Sequence, residues 1–91
     1  MRTVAFSQVM WELLRERKFQ DSKWGPIEAA PHTLGEWIII AEFELAEAKL
    51  ALIKGGAGRD SIRAELIQTA AVLVAALEQH GTMSPNDKRE V

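Results

Sequence analysis

Apolar residues recur along this chain at spacings of three and four, and nowhere alternate over the length of a strand. The pattern predicts helices and no sheet. The first helix covers roughly residues 3–22. Val9, Leu13, Glu16 and Gln20 repeat at i, i+4, i+7 and i+11, with Phe6, Met10 and Leu14 beside them. Lys23-Trp24-Gly25-Pro26 ends it, because glycine and proline both continue helices poorly. Thr33 and Glu36 then stand three apart ahead of an apolar run, the arrangement of a capping box. The second helix is expected to reach about Ile53, with Gly55 or Gly56 as its left-handed cap. The third begins near Asp60 or Ser61, both good N-cap residues, and ends near Gly81. Residues 82–91, polar and containing Pro85, are expected to form a flexible tail. Residues 1–81 are left as one helical domain, with no internal repeat.

Placing the second helix on a wheel at about 100° per residue brings Glu36, Ile40, Glu44, Glu47, Ala51 and Lys54 into one narrow arc. Trp37, Ala41, Leu45, Ala48 and Leu52 flank it on one side. Ile39, Phe43, Ala46, Leu50 and Ile53 flank it on the other. Only Glu42 and Lys49 fall in a sector suited to solvent. Glu44 and Glu47 are therefore expected at the centre of the buried arc, an adverse place for solvating charges. Either they pair with Arg63, Lys54 or Arg17 across the bundle, or they hold a cation between them. A hard divalent ion such as Mg²⁺ suits carboxylate oxygens and keeps waters for substrate phosphates.

The third helix is apolar nearly all round, which predicts a central helix covered on several sides. Glu65 and Gln68 interrupt it, again three apart. If the second and third helices pack antiparallel across the short turn between them, the two polar pairs face one another.

Composition narrows the function classes. The chain has 91 residues and no cysteine, so neither a disulfide nor a thiolate zinc site supports so small a fold. A chain of this size buries only about 60% of its unfolded surface, which leaves tight helix packing or oligomerisation to complete the core. Eleven Lys and Arg against thirteen Asp and Glu give a net charge of -2, unlike a protein that neutralises nucleic-acid phosphates. The longest uncharged stretch, residues 66–77, is far short of the about 20 residues that span a bilayer. Residues 1–10 do not read as a signal peptide. The expectation is a soluble, cytoplasmic protein with no nucleic-acid or membrane partner.

Glu44-Leu45-Ala46-Glu47 followed by Glu65-Leu66-Ile67-Gln68 resembles the ExxE…ExxD signature of the MazG-like all-α nucleotide pyrophosphohydrolases. Residues 65–72 are similar to the third-helix wording of small, phage-associated members. Residues 16–25, Glu-Arg-Lys-Phe-Gln-Asp-Ser-Lys-Trp-Gly, are similar to the segment those members carry before the first acidic helix. The resemblance spans roughly residues 9–81. It implies a helical bundle completed as a homo-oligomer, dimer or tetramer. It also implies Mg²⁺, with Mn²⁺ as the alternative, and cleavage of nucleoside triphosphates to monophosphate and pyrophosphate. Carried over, Glu44, Glu47 and Glu65 become catalytic metal ligands with Gln68 beside them, and Gln20 and Trp24 become contacts to the base. Lys54, on the arc of Glu44 and Glu47, is placed by geometry to reach phosphate oxygens.

Two positions depart from the family pattern. Phe43 stands where many members have the first of a pair of glutamates opening the first motif, and Gln68 stands where the second motif ends in aspartate. Gln68 offers a neutral oxygen but neither charge nor base, which predicts weaker metal binding. Two rival readings follow. One is a nucleotide- or metal-binding regulator with weakened or lost catalysis. The other is a helical module that serves only assembly. Residues 55–59 form no phosphate loop, since no strand precedes them and no Gly-Lys-Ser/Thr closes them. His32 and His80 lack a third ligand for zinc.

Overall fold

The computed structural model describes residues 3–26, 29, 31–54 and 58–81. Among these the regular structure is helical, with no strand: α1 (Val4–Trp24), α2 (Leu34–Lys54) and α3 (Arg59–His80). The Thr3 hydroxyl caps α1 by accepting the Phe6 N–H at 3.3 Å. The helix runs past the expected Ser22 because Gly25, not Lys23, stops it. Gly25 has φ 90° and ψ 169°, a region nearly closed to other residues, and its N–H donates to the Asp21 carbonyl at 2.9 Å. Gly81 ends α3 in the same way, donating to the Leu77 carbonyl at 2.7 Å. The expected caps at Gly55 and Gly56 and the tail at 82–91 lie outside the described residues.

The capping box forms as the sequence predicts. The Thr33 N–H donates to Glu36 Oε1 at 2.8 Å, and the Glu36 N–H donates to Thr33 Oγ1 at 3.1 Å. The Thr33 backbone N–H is the main reason that the Glu36 carboxyl sits below its ordinary pKa. Stability from this carboxylate is therefore present above the ordinary carboxylate range and lost on acidification through the lowered value. Thr33→Ala is expected to destabilise the fold by about 1 kcal/mol, read as a lower melting temperature near neutral pH. An unchanged melt would show that the box contributes nothing to α2.

The central element is α3. It packs against both other helices, whereas α1 and α2 barely meet. Ala71, Val72, Ala75 and Ala76 are its buried residues. Such small side chains let α2 approach closely, and the core there is Trp37, Ala41, Val72, Ala75 and Ala76 with Ile40 against it. The two helices run antiparallel, so that Trp37 meets Gln79 near one end while Glu44 and Glu47 meet Glu65 nearer the other. Gln79 Oε1 accepts both the Trp37 indole N–H and the His32 backbone N–H, each at 2.8 Å. His80 Nε2 donates to the His32 carbonyl at 2.7 Å, and these bonds tie the linker before α2 to the last turn of α3.

The covered stripe of α2 centres on Trp37, Ala41, Glu44, Ala48 and Ala51, with Ile40 half-buried at its edge, and is rotated by roughly 60° about the axis from where the wheel centred it. Glu44 is half-buried at its middle, but Glu47 is exposed at its edge, which corrects the expectation that both sit at the centre of the buried arc. The reason lies in side-chain size. Helix contact forms where alanines permit it, and the bulky Ile39, Phe43, Leu50 and Ile53 are left facing outward. The central α3 is also less covered than its composition predicts, with Leu66, Leu73 and Leu77 each about half exposed. Among the described residues no large side chain is fully buried. Among the described residues no helix is long and apolar enough to cross a membrane.

Candidate functional site

One turn of α2 places Glu44 and Glu47 on neighbouring positions, and the antiparallel α3 sets Glu65 opposite them. One carboxylate oxygen from each of the three lies within 4.8 Å of the other two. The spacing expected from the two polar pairs is thus realised. Glu44 Oε2 and Glu65 Oε2 are both buried and have no hydrogen-bond partner. An orphaned buried carboxylate oxygen is costly unless a cation or a proton answers it. The Glu44 carboxyl is accordingly pushed above its ordinary pKa, first by burial and then by the charges of Glu47, Glu65 and Glu16.

Glu16 is the fourth carboxylate and comes from α1. Its position on the Val9–Leu13–Gln20 face carries the same signal as Glu44, a charge on a face otherwise bound for packing, and the resemblance of residues 16–25 assigns it no role. Glu16, Glu44, Glu47 and Gln68 line an acidic cavity of about 290 Å³, closed by Phe19, Gln20, Lys23 and Trp24. Gln68 therefore stands beside the carboxylates. Lys23 also lines this cavity, with its ammonium 5.0 Å from the Trp24 ring centroid. Lys54 ends α2 seven residues after Glu47, about 10 Å further along the axis. It lies on the exposed surface and lines neither this cavity nor the one beside it. Among the residues that line the acidic cavity, Lys23 is the basic one.

Beside the acidic cavity lies a second of about 290 Å³ with mainly apolar walls, among them Trp24, Pro26, His32, Trp37, Ile40 and Val72. The His32 and Trp37 rings meet edge to face at 4.9 Å, with Trp37 buried as expected. Trp24 is 57% exposed, so it is not a packing residue within this chain. Gln20, Trp24 and Glu44 line both cavities and form the seam between them.

Arg17 is the residue whose role the sequence left open, and the structure takes it away from Glu44 and Glu47. Its guanidinium is buried and forks onto Glu78 of α3, with Nε to Oε2 at 2.7 Å and Nη2 to Oε1 at 3.0 Å. It also donates to Asp21 at 3.0 Å and to Gln20 at 3.1 Å. The hydrogen bond to Glu78 is the largest influence on its pKa, holding the cation more firmly protonated against the opposing effect of burial. The acidic group at Glu44 thus does not draw on Arg17 for its counter-charge.

No protein family, curated protein or solved structure matches this chain.

Proposed function

We propose that this chain is a MazG-like nucleotide pyrophosphohydrolase, acting in the cytoplasm as a homo-oligomer on nucleoside triphosphates. The observation that carries the reading is the seam. The acidic cavity, lined by Glu44 and Glu47 of the converged carboxylates, and a cavity with aromatic walls suited to a planar base share Gln20, Trp24 and Glu44. The residues fit Mg²⁺ or Mn²⁺. Three carboxylates converge, and two of their oxygens are buried without partners. Glu44, Glu47 and Glu65 would hold the ion, with Gln68 as a neutral neighbour. Bound there, a divalent ion supplies charge neutralisation at phosphate oxygens and acidifies a coordinated water.

The chain's own residues account for the remaining tasks. Trp24 and the His32–Trp37 pair offer ring faces and edges to the base. Lys23 stands at the acidic cavity as a cation for the triphosphate tail. Glu16, outside the converged triad, is the carboxylate left to accept a proton from the attacking water. Hydrolysis of the bridge between the α and β phosphates then releases monophosphate and pyrophosphate. Oligomerisation follows from the open apolar sides of α2 and α3, which leave the chain with a core of small residues.

Gln68 favours a second reading in which the same site binds metal and nucleotide without efficient turnover. Pyrophosphate release from a panel of ribo- and deoxyribonucleoside triphosphates with Mg²⁺ or Mn²⁺ separates the two. The control is Glu44→Ala/Glu47→Ala protein purified identically. Release that vanishes in the control is the expected result. Release equal to the control, with nucleotide still bound, moves the assignment to the binding role.

A further inference from the structure

We infer that Arg17 is a positioning residue: it fixes Gln20 as a hydrogen-bond donor at the seam between the cavities, so that the site takes a ligand edge presenting an acceptor there and rejects one presenting an amino group. The ligand half of this inference rests on the nucleotide reading above; the side-chain half does not.

The two ends of a glutamine amide are nearly equal in size, so neighbours decide which end points where. Gln20 has two neighbours that decide alike. Arg17 carries only donors, and its Nη1 lies 3.1 Å from Gln20 Oε1. Glu16, when ionised, only accepts, and its Oε2 lies 3.4 Å from Gln20 Nε2. Turning the amide over would set an NH₂ against a guanidinium and a carbonyl against a carboxylate. Both contacts would become repulsive.

Arg17 in turn cannot swing away. Glu78 holds its Nε and Nη2 from α3, and Asp21 holds Nη2 from one turn further along α1. Arg17 and Gln20 are only 6% and 5% exposed, so water does not compete for the amide. Gln20 Nε2 has two hydrogens, and among the described residues its one partner is the long bond to Glu16. Gln20 lines both cavities, which is where its remaining donor capacity can meet a ligand. A buried donor left unmet is costly, and a ligand acceptor at that point relieves it. Carbonyl oxygens and unprotonated ring nitrogens satisfy this; exocyclic amines do not. Adenine, cytosine and guanine carry both kinds of group, whereas uracil carries carbonyls and no exocyclic amine, so Gln20 selects the edge that faces the seam.

The test uses calorimetric binding of uridine, cytidine, adenosine and guanosine monophosphates with Mg²⁺ present. It compares the parent protein with Arg17→Met, Arg17→Lys, Gln20→Met and the double Arg17→Met/Gln20→Met variant. Glu78 and Asp21 are nearly half exposed, so loss of Arg17 leaves their carboxylates solvated and the variants are expected to fold. Each Met single variant is expected to weaken the tightest monophosphate about tenfold, the double no further, and Arg17→Lys is expected to recover part of the loss. In the ligand-free protein, the Gln20 side-chain amide signals in a nitrogen–proton correlation spectrum are expected to be well dispersed, and to move to the position of exposed glutamines in Arg17→Met. Losses that multiply to about a hundredfold in the double variant would show that Arg17 acts apart from Gln20 and overturn the inference. Unchanged binding in both Met single variants would remove Gln20 from the ligand. If none of the four monophosphates binds the parent protein, the nucleotide reading and the ligand half fall together. The amide signals decide the Arg17 half in that case, and signals indifferent to Arg17→Met overturn it.

Discussion

Glu44→Gln is expected to stabilise the metal-free protein while removing its response to Mg²⁺. The glutamine keeps the shape of the side chain and takes away a charge that burial disfavours and that Glu47, Glu65 and Glu16 repel. Because the folded-state pKa of Glu44 is raised, the folded protein binds this proton more tightly than the unfolded chain does. The resulting stability is fully present below the ordinary carboxylate pKa and is lost as pH rises through the raised value. Thermal melts of metal-free protein, subtracted variant from parent, are expected to show this slope between those two limits. The Glu36 carboxyl, displaced in the opposite sense, cancels in the subtraction. Mg²⁺ is expected to raise the melting temperature of the parent near neutral pH but not that of Glu44→Gln, and pyrophosphate release is expected to fall by at least about 100-fold. A variant that retains the full Mg²⁺ response would remove Glu44 from the cation site. Glu47→Ala is expected to abolish the response as well, since its oxygen is one of the three that converge.

Phe43→Glu is expected to separate the subunits and to lower the melting temperature of what remains. Phe43 is 70% exposed in the single chain, and Ile39, Leu50 and Ile53 lie exposed on the same side of α2. The core of one chain, built on Trp37, Val72 and alanines, is small for three helices of 21, 21 and 22 residues. In the proposed homo-oligomer, a second copy would cover the open side and supply the missing apolar contact. For a dimer, each tenfold rise in concentration is then expected to add about 1.4 kcal/mol to apparent stability. Melts over a concentration series, with sedimentation of the same samples, measure both effects. A parent protein that sediments as a monomer and melts at one temperature throughout would show that these side chains serve another purpose.

Phe43, which stands where the resembled family often has the first of two glutamates, would on the proposed reading be a contact between subunits. Gln68 is the other departure, and it does line the acidic cavity, where it supplies an oxygen without a charge. The two departures therefore lie in different places, Phe43 on the exposed side of α2 and Gln68 at the acidic cavity.

Local chemistry made the helices legible in the sequence. Thr33 and Glu36 satisfy each other's backbone N–H groups within four residues, and Gly25 and Gly81 adopt backbone angles that side chains disfavour. Such signals act over one turn and need no distant partner. The pairing of Glu44 and Glu47 with Glu65 was also readable, because one turn of helix and a short antiparallel connection leave little freedom. The partners of long side chains were not. Arg17 could have met several carboxylates by spacing alone, and only the approach of α1 to the end of α3 gives it Glu78. The same approach brings Glu16 to the carboxylates of α2, which no motif spanning α2 and α3 contains. The covered face of α2 was decided by tertiary structure too. A wheel weighs apolar character, whereas packing weighs size, and the alanines of α2 and α3 allow a contact that Ile39 and Phe43 would hold apart.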